Sequence, residues 1–331
     1  MRVVVLGAGS WGTTVAALAS ARNQTTLWCR RSELAAAINS THENATYLGG
    51  FALPESLRAT SDIEEAVAGA EVVIVGVPSH GFREMLVMAC PYVHPWIPVV
   101  SLTKGIEHGS LLRMTQIIRE VLPGRPAAAL SGPNLAKEIM AGCAAASVIA
   151  TEDLAVAAAL QGVLARGLFR IYTNDDVVGC ELGGALKNVI AIATGIAEGL
   201  SVGDNTRAAV ISRGLAELTR LGVAMGAQPG TLSGLAGMGD LIATCMSPLS
   251  RNRKVGERLG RGERIEDILA STSTVAEGVK TAEIVVELAA RHGVELPICA
   301  EIHRVVTGRA VGADAYRGLL QARPGHESQP G

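Results

Sequence analysis

A chain of 331 residues is long enough for two domains and a large core. Its formal net charge of −2 argues against a general role in binding nucleic acid or a membrane surface, although local basic pockets remain open. The six cysteines are far apart and include no C-x-x-C pair, so they indicate reduced thiols in a cytoplasmic protein and predict neither a disulfide framework nor a zinc site.

The chain opens with a pattern typical of a strand, a tight turn and a helix. A β-branched run at residues 3–6 precedes an alanine-rich segment, and the two are joined by Gly7-Ala8-Gly9-Ser10-Trp11-Gly12. In a G-x-G-x-x-G turn, Gly7 makes the reversal, Gly9 lets the backbone approach a pyrophosphate, and Gly12 lets the helix pack on the strand. The positive end of the helix dipole would then face the phosphates.

A secretory signal peptide is the rival interpretation of the same opening. Arg2 could form its basic region, residues 3–18 are uncharged, and Ala19-Ser20-Ala21 has the form of a cleavage site. Three glycines and a tryptophan interrupt that apolar run, and the residues after it continue a βαβ unit, so the nucleotide-binding interpretation is preferred. No other uncharged apolar segment approaches the length of a membrane span, and none is predicted.

The second predicted strand, residues 25–29, ends in Arg30 and Arg31. NAD-specific folds place Asp or Glu at this point for the ribose 2′-OH, whereas arginine accommodates a 2′-phosphate. We therefore expect NADP(H) to be used, although the position alone does not exclude NAD(H). The alternative is a solvated pair that opens a helix at Ser32.

Further short apolar runs continue the α/β pattern. Strands are predicted at residues 57–60, 71–78, 97–102, 127–130, 147–150 and 169–172, and helices at 62–68, 135–140 and 153–164. Ligands of open α/β sheets bind at the carboxyl ends of the strands. Ser79-His80, Thr103-Lys104-Gly105 and Ser131-Gly132-Pro133-Asn134 follow such ends.

Lys104 is predicted to lie where it could bind an anion or a polarised carbonyl. The alternative is that Lys104 is an ordinary solvent-exposed lysine.

Strands are no longer predicted beyond Asn174. Helices are predicted at residues 175–200, at 207–225 behind a cap formed by residues 204–206, from Asp240 onward, at 275–290 and at 298–307. From residue 323 the chain is polar and proline-bearing, which predicts a frayed tail. The predicted architecture is a Rossmann-type, mostly parallel sheet domain at 1–174, an all-helical domain at 175–322 and a disordered tail at 323–331.

The first helix of the second half carries a lysine among small and apolar residues. Lys187 and Asn188 lie in Gly183-Gly184-Ala185-Leu186-Lys187-Asn188-Val189-Ile190-Ala191, which predicts a buried helix. A buried charge is costly unless it is paired or functional, so Lys187 is a candidate proton acceptor. A lysine that extends its side chain to the surface is the alternative.

Two polar stretches follow. Asp240 lies near the start of an apolar helix, where it could act as a cap. Ser250-Arg251-Asn252-Arg253-Lys254 places a hydroxyl beside cationic and amide groups, which suits a phosphate monoester, with a solvated loop as the alternative.

Taken together, the chain resembles the bacterial NAD(P)-dependent glycerol-3-phosphate dehydrogenases over almost its whole length. The resemblance is carried by six blocks in one order, which are the opening glycine motif, Ser101-Leu102-Thr103-Lys104-Gly105, Ser131-Gly132-Pro133-Asn134-Leu135-Ala136-Lys137-Glu138, Gly183-Gly184-Ala185-Leu186-Lys187-Asn188, Gly237-Met238-Gly239-Asp240-Leu241 and Ser250-Arg251-Asn252. Many members carry a hydroxyl residue and an aromatic where this chain has Asn134 and Leu135.

The resemblance implies a substrate site between a dinucleotide-binding domain and a helical domain, with Lys187 as proton acceptor. The implied substrate-binding residues are Lys104, Gly132, Asn134, Lys187, Asp240, Ser250, Arg251 and Asn252. The implied cofactor-binding residues, with the glycines of the turn, are Gly7, Gly9, Ser10, Trp11, Gly12, Arg30, Arg31, Lys104, Ala136, Arg251, Val275 and Glu277.

The implied reaction interconverts dihydroxyacetone phosphate and sn-glycerol 3-phosphate for phospholipid biosynthesis, with NADP(H) or NAD(H) and without a metal. A homodimer is compatible with the resemblance. Two alternatives stay open, a hydroxy-acid dehydrogenase of the same two-domain plan and a non-catalytic dinucleotide sensor. The first would need a carboxylate site in place of the Ser250 to Asn252 stretch, and the second would not need a buried Lys187.

Overall fold

The computed structural model describes residues 1–271 and 277–321, with side chains through residue 316. The chain divides into two compact units, Met1–Val177 and Val178–Gly331. Val275 of the expected cofactor site and the expected tail at 323–331 lie outside the described residues.

The first unit alternates strands and helices. Its strands are β1 (Arg2–Leu6), β2 (Gln24–Trp28), β3 (Arg58–Thr60), β4 (Val72–Val75), β5 (Val99–Ser101), β6 (Ala127–Ser131), β7 (Ala145–Ala150) and β8 (Phe169–Asn174). Its helices are α1 (Ser10–Ser20), α2 (Ser32–Thr41), α3 (Ala45–Leu48), α4 (Ile63–Val67), α5 (Phe82–Ala89), α6 (Met114–Val121), α7 (Ala136–Met140) and α8 (Leu154–Leu164).

The eight strands form one sheet in the order β3-β2-β1-β4-β5-β6-β7-β8. All neighbouring strands are parallel except β6 and β7, which are antiparallel. The first six positions have the strand order of a doubly wound nucleotide-binding fold. The prediction of a Rossmann-type, mostly parallel sheet is therefore confirmed.

Both faces of the sheet are buried, because alternate residues of each strand point to opposite sides. In β1, Val3 and Val5 belong to the core beneath α1, α2 and α8. Val4 and Leu6 belong to the second core, which contains residues of α4, α5 and α6. The continuous apolar strands of the sequence reflect this double burial.

The parallel strands end at one edge of the sheet, so the segments that follow them lie along that edge. These segments are the glycine turn after β1, the arginine pair after β2, the Lys104 segment after β5 and the Gly132 loop after β6. The fold thus places every predicted site segment of the first unit on one side of the sheet.

The second unit is helical throughout its described residues. Its helices are α9 (Val177–Gly199), α10 (Asp204–Ala224), α11 (Pro229–Leu232), α12 (Asp240–Met246), α13 (Arg251–Gly260), α14 (Ile265–Ala270), α15 (Glu277–His292), α16 (Pro297–Val306) and α17 (Gly312–Gln321). A five-residue π-helical segment, Leu235–Gly239, runs directly into α12.

The helix α9 has the length and mean hydropathy, 1.4, of a membrane-crossing helix, and no other described helix does. Within its most apolar window, however, 94% is buried inside the protein. Such burial is that of a core helix, which the sequence predicted from the small and apolar residues around Lys187.

Several features of the second unit differ from the sequence prediction. Residues 204–206 do not cap a following helix, because α10 already begins at Asp204, after Gly203, whose φ is +86°. The Asp204 carboxylate instead pairs with Arg207 one turn later. The helices α11, α13, α14 and α17 were not predicted.

Candidate active site

The glycine turn after β1 has the geometry that a pyrophosphate needs. Gly7 has a φ of +117°, and a Cβ there would lie 2.7 Å from the Gly76 carbonyl oxygen. A Cβ on Gly12 would collide with the Gly7 carbonyl. At Gly9, by contrast, a Cβ would meet nothing within 4 Å, so the backbone faces open space where a phosphate group fits.

The first residues of α1 contact neighbouring segments and so hold the glycine turn in place. The Ser10 hydroxyl donates to the Tyr47 carbonyl at 2.5 Å. The Trp11 ring packs edge-on against Phe169, with 6.0 Å between the ring centroids. Its buried indole N–H has no hydrogen-bond partner in the described part of the chain. The side chain of Trp11 therefore serves packing, with one donor left over.

Arg30 and Arg31 are exposed directly after β2. The Arg31 guanidinium lies 5.9 Å from the centre of the Tyr47 ring, which favours a cation–π contact. Neither arginine pairs with an acidic side chain among the residues described. Their uncompensated positive charge fits a nucleotide 2′-phosphate.

Lys104 is held by the loop that follows β6. Its ammonium donates to the Gly132 carbonyl at 2.6 Å. Gly132 has a φ of +130°, and a Cβ there would lie 3.1 Å from the Cα of Ser147, so glycine is required for this close approach.

Asn134 lies in the same loop, and its Oδ1 accepts a hydrogen bond from the Ser147 hydroxyl. Its Nδ2 is buried without a hydrogen-bond partner among the described residues, and so is the Ser131 hydroxyl. Buried donors of this kind cost about 1–3 kcal/mol each when they stay unsatisfied. They are suited to meet a ligand oxygen, as the resemblance implies for Asn134.

The buried lysine of the second unit is the centre of a polar cluster. Lys187 is 5% exposed, and its ammonium pairs with the Asp240 carboxylate, which is 1% exposed. The ammonium also donates to the Thr244 hydroxyl at 2.6 Å, and this hydroxyl donates to the Asp240 carbonyl at 2.7 Å. Asp240 is thus the partner of the buried charge and does not cap α12.

Thr244 was not identified from the sequence. It lies four residues after Asp240 on α12, a spacing that puts both side chains on one helix face. That spacing is the feature of the sequence from which Thr244 could have been identified. Beside the cluster, burial raises the pKa of the Cys245 thiol to about 11.

Asn188 and Asn252 are joined by their amide groups. Asn252 Nδ2 donates to Asn188 Oδ1 at 2.8 Å, and Asn252 Oδ1 accepts from the Gly278 backbone N–H at 3.0 Å. Because a backbone N–H can only donate, it fixes the orientation of both amides. Asn252 therefore ties α9 to the first turn of α15, where the expected cofactor residue Glu277 is the first helical residue.

The predicted phosphate-binding stretch opens α13. Ser250 is the N-cap and accepts from the Arg253 backbone N–H at 3.3 Å, and Arg251 is the exposed first residue. The side chains of this stretch point in different directions, because they lie on successive positions of a helix. Asn252 points inward, and the Arg253 side chain donates to the Ser247 carbonyl at 3.2 Å.

Glycines let α13 approach α9 closely. A Cβ on Gly195 or Gly199 of α9 would collide with the α13 backbone, and a Cβ on Gly256 or Gly260 of α13 would collide with the α9 backbone. The spacing of four residues on both helices is typical of close helix crossings. This crossing sets the position of Ser250 and Arg251 relative to Lys187 within the second unit.

No group of three or more His, Cys, Asp or Glu side chains that could hold a metal ion occurs within residues 1–271 and 277–321.

Comparison with known proteins gives the family. A model described as NAD-dependent glycerol-3-phosphate dehydrogenase N-terminus matches residues 2–157, and the corresponding C-terminus model matches residues 176–316. The chain belongs to the NAD-dependent glycerol-3-phosphate dehydrogenase family. The resemblance inferred from the six sequence blocks is confirmed.

Individual relatives agree over nearly the full length. Glycerol-3-phosphate dehydrogenase [NAD(P)+] 2 of Sphingopyxis alaskensis is 56% identical over 331 residues, covering 100% of this chain and 99% of the relative. The Mycobacterium avium glycerol-3-phosphate dehydrogenase [NAD(P)+] is 53% identical over 327 residues, which cover 98% of this chain and 96% of that relative. The crystal structure of glycerol-3-phosphate dehydrogenase from Coxiella burnetii superposes with a TM-score of 0.92 at 35% identity, covering 97% of this chain and 99% of that one.

Proposed function

We propose that this protein interconverts dihydroxyacetone phosphate and sn-glycerol 3-phosphate with NADPH or NADH. Family membership supports the reaction, and the observation that supports its chemistry is the buried ion pair of Lys187 and Asp240 with Thr244. A lysine with nearly all its surface buried and a carboxylate partner is a group prepared for proton transfer. A non-catalytic dinucleotide sensor would have no use for it.

Lys187 would exchange the proton of the substrate C2 oxygen. When bound, the nicotinamide cofactor supplies the hydride chemistry, and the protein supplies orientation and charge. In the reducing direction the Lys187 ammonium gives a proton to the oxygen on which negative charge develops, and Asp240 balances the charge of the ammonium in its buried position. Thr244 fixes the direction of the ammonium through a further hydrogen bond.

The resemblance also implies substrate contacts for residues of the first unit. The Lys104 ammonium would add positive potential, and the Asn134 amide and the Gly132 loop would add polar contacts. Arg251 and the N-terminus of α13 suit the phosphate, because a guanidinium and the backbone N–H groups at a helix N-terminus both favour an anion. Binding energy from the phosphate then helps to fix the reacting carbon.

For the cofactor, the open space at Gly9 and the uncompensated charges of Arg30 and Arg31 support NADP(H), with NAD(H) as a second cofactor. Ser10, Trp11, Ala136 and Glu277 stay proposed contacts. A functional division at 1–174 and 175–322 is part of the proposal, and the change from strands to helices between β8 and α9 supports it.

A role in phospholipid biosynthesis and a homodimeric state are further parts of the proposal, and the resemblance supports them. A cytoplasmic location is also proposed, and the widely spaced cysteines of the sequence support it.

The test is reduction of dihydroxyacetone phosphate by the purified full chain with NADPH, followed at the nicotinamide absorbance. Non-phosphorylated dihydroxyacetone and a 2-oxo acid are the controls. We expect kcat/KM for the phosphorylated ketone to exceed that of either control by at least about 100-fold, because a phosphate bound by a charged donor set contributes several kcal/mol. Equal rates with both ketones would contradict the phosphate site, and preferred turnover of the 2-oxo acid would favour a hydroxy-acid dehydrogenase.

A further inference from the structure

The segment that carries Lys104 contacts the segment after β4 on both sides of the lysine. Before it, the Thr103 hydroxyl donates to the Val77 carbonyl at 2.6 Å. After it, Gly105 lies so close to Ser79 that an added Cβ would be 2.8 Å from the Ser79 Cβ. The residues on either side of Lys104 thus contact the same neighbouring segment, whereas the Lys104 ammonium reaches the Gly132 carbonyl.

A third contact, an ion pair, is made by Glu107. Both oxygens of this carboxylate are bonded to Arg83 of α5, with Nε to Oε1 at 2.9 Å and Nη2 to Oε2 at 2.8 Å. The two parallel hydrogen bonds form the bidentate geometry that is strongest for this pair. Arg83 accordingly holds the pKa of Glu107 below its usual value.

Glu107 also closes the turn that follows Lys104. Its backbone N–H donates to the Leu112 carbonyl at 2.9 Å, and its carboxylate accepts from the Ser110 hydroxyl at 2.5 Å. The side chain of Glu107 is only 16% exposed, so solvent competes little for these bonds. A hydrogen-bonded turn closed by Glu107 therefore follows the Lys104 segment.

Arg83 binds a second carboxylate, and this one does not belong to the Lys104 segment. Glu120 of α6 accepts from Arg83 Nη1 at 2.9 Å and from Nη2 at 3.2 Å. Its side chain is 56% exposed, so this pair is of the kind that contributes little. Glu120 is a matched control, because it shares the arginine with Glu107 and lacks the connection to Lys104.

We propose that Arg83 and Glu107 are positioning residues that hold the Lys104 ammonium where the reaction needs it. A lysine side chain is long and flexible, and rates fall when a charged group is misplaced by as little as 1 Å. A hydrogen bond at residue 103, close packing at residue 105 and the ion pair at residue 107 limit the backbone around Lys104, and the Gly132 carbonyl accepts from its ammonium. The assignment rests on the proposed function.

The test compares Glu107→Gln with Glu120→Gln in the full-length protein. We expect Glu107→Gln to lower kcat/KM for dihydroxyacetone phosphate by roughly tenfold, as loss of one charged hydrogen-bond pair predicts, and Glu120→Gln to stay within about twofold of the unchanged protein. If Glu107→Gln does not fold, Arg83→Lys replaces it, because lysine keeps the charge and loses the bidentate geometry.

A second measurement separates positioning from a general loss of structure. The rate of reductive methylation at Lys104 is followed by mass spectrometry of its peptide, with exposed Lys137 of the same unit as the reference. Glu107→Gln should accelerate methylation of Lys104 relative to Lys137, and Glu120→Gln should not.

Equal kcat/KM for Glu107→Gln and the unchanged protein, equal losses in both variants, or unchanged Lys104 labelling would each overturn the proposal. If the unchanged protein does not turn over the phosphorylated ketone, the proposed function fails, whereas the labelling still tests the positioning.

Discussion

The close crossing of α9 and α13 allows a prediction of definite size. A Cβ introduced by Gly195→Ala would overlap the Arg253 carbonyl oxygen and lie 2.9 Å from both the Arg253 carbonyl carbon and the Glu257 nitrogen. These are backbone atoms inside a helix, so no side-chain rotation relieves the overlap. An ordinary carbon contact requires about 3.5 Å, so the helices must separate by roughly 1 Å.

Overpacking of this kind costs about 1–3 kcal/mol. At about 2–4 °C per kcal/mol for a folding unit of this size, the midpoint of thermal unfolding should fall by roughly 2–12 °C. Because α13 carries Ser250 and Arg251 at its start, we also expect the KM for dihydroxyacetone phosphate to rise.

Differential scanning calorimetry and steady-state kinetics measure the two effects. Gly230→Ala is the matched control, because Gly230 lies in helix α11 of the same unit and its added Cβ would meet nothing within 4 Å. That variant should be as stable as the unchanged protein or slightly more stable, since alanine favours a helix. A Gly195→Ala protein with the same midpoint and the same KM as the Gly230→Ala control would refute the reasoning.

Three further predictions concern charge, thiols and pH. Arg31→Ala should raise the KM for NADPH by about tenfold and leave the KM for NADH within about twofold, because only NADPH has the 2′-phosphate. Steady-state kinetics with both cofactors measure this, and equal effects on the two KM values would contradict the prediction. Exposed Cys143 should be alkylated at pH ~8 long before Cys245, whose pKa burial raises to about 11, and mass spectrometry of the peptides would reveal the opposite order. Burial raises the pKa of Glu217 in the folded state, so its protonated form stabilises the fold below the unfolded pKa, and this contribution is lost as the pH rises through the folded pKa. Relative to Glu217→Gln, the free energy of unfolding should therefore decrease with rising pH above about 4.5, and parallel curves from denaturant titrations would count against it.

Local sequence patterns predicted much of the fold. The glycine turn follows from its own residues, because Gly7 needs a positive φ and Gly12 needs space beside Gly7. The buried strands and the core helix α9 follow from continuous apolar runs. The antiparallel pairing of β6 and β7 was not predicted, since strand periodicity is the same in both directions.

The contacts within the site were harder to predict, because they join residues that are distant in the chain. Lys187 could be identified as buried, but its pairing with Asp240 spans 53 positions. Arg83 and Glu107, 24 positions apart, are ordinary surface residue types without local signal. The predicted start of α10 was wrong. Aspartate is a common N-cap, but Asp204 lies inside the helix and pairs with the Arg207 side chain.

The central claim is that the buried amine of Lys187 exchanges the substrate proton. The most direct measurement is the turnover of dihydroxyacetone phosphate by Lys187→Ala, together with NADPH binding measured by fluorescence. The account predicts a loss of kcat of at least about 100-fold, as removal of a general acid–base group does, with NADPH affinity nearly unchanged. A variant that keeps its turnover would contradict the account and remove Lys187 from the reaction.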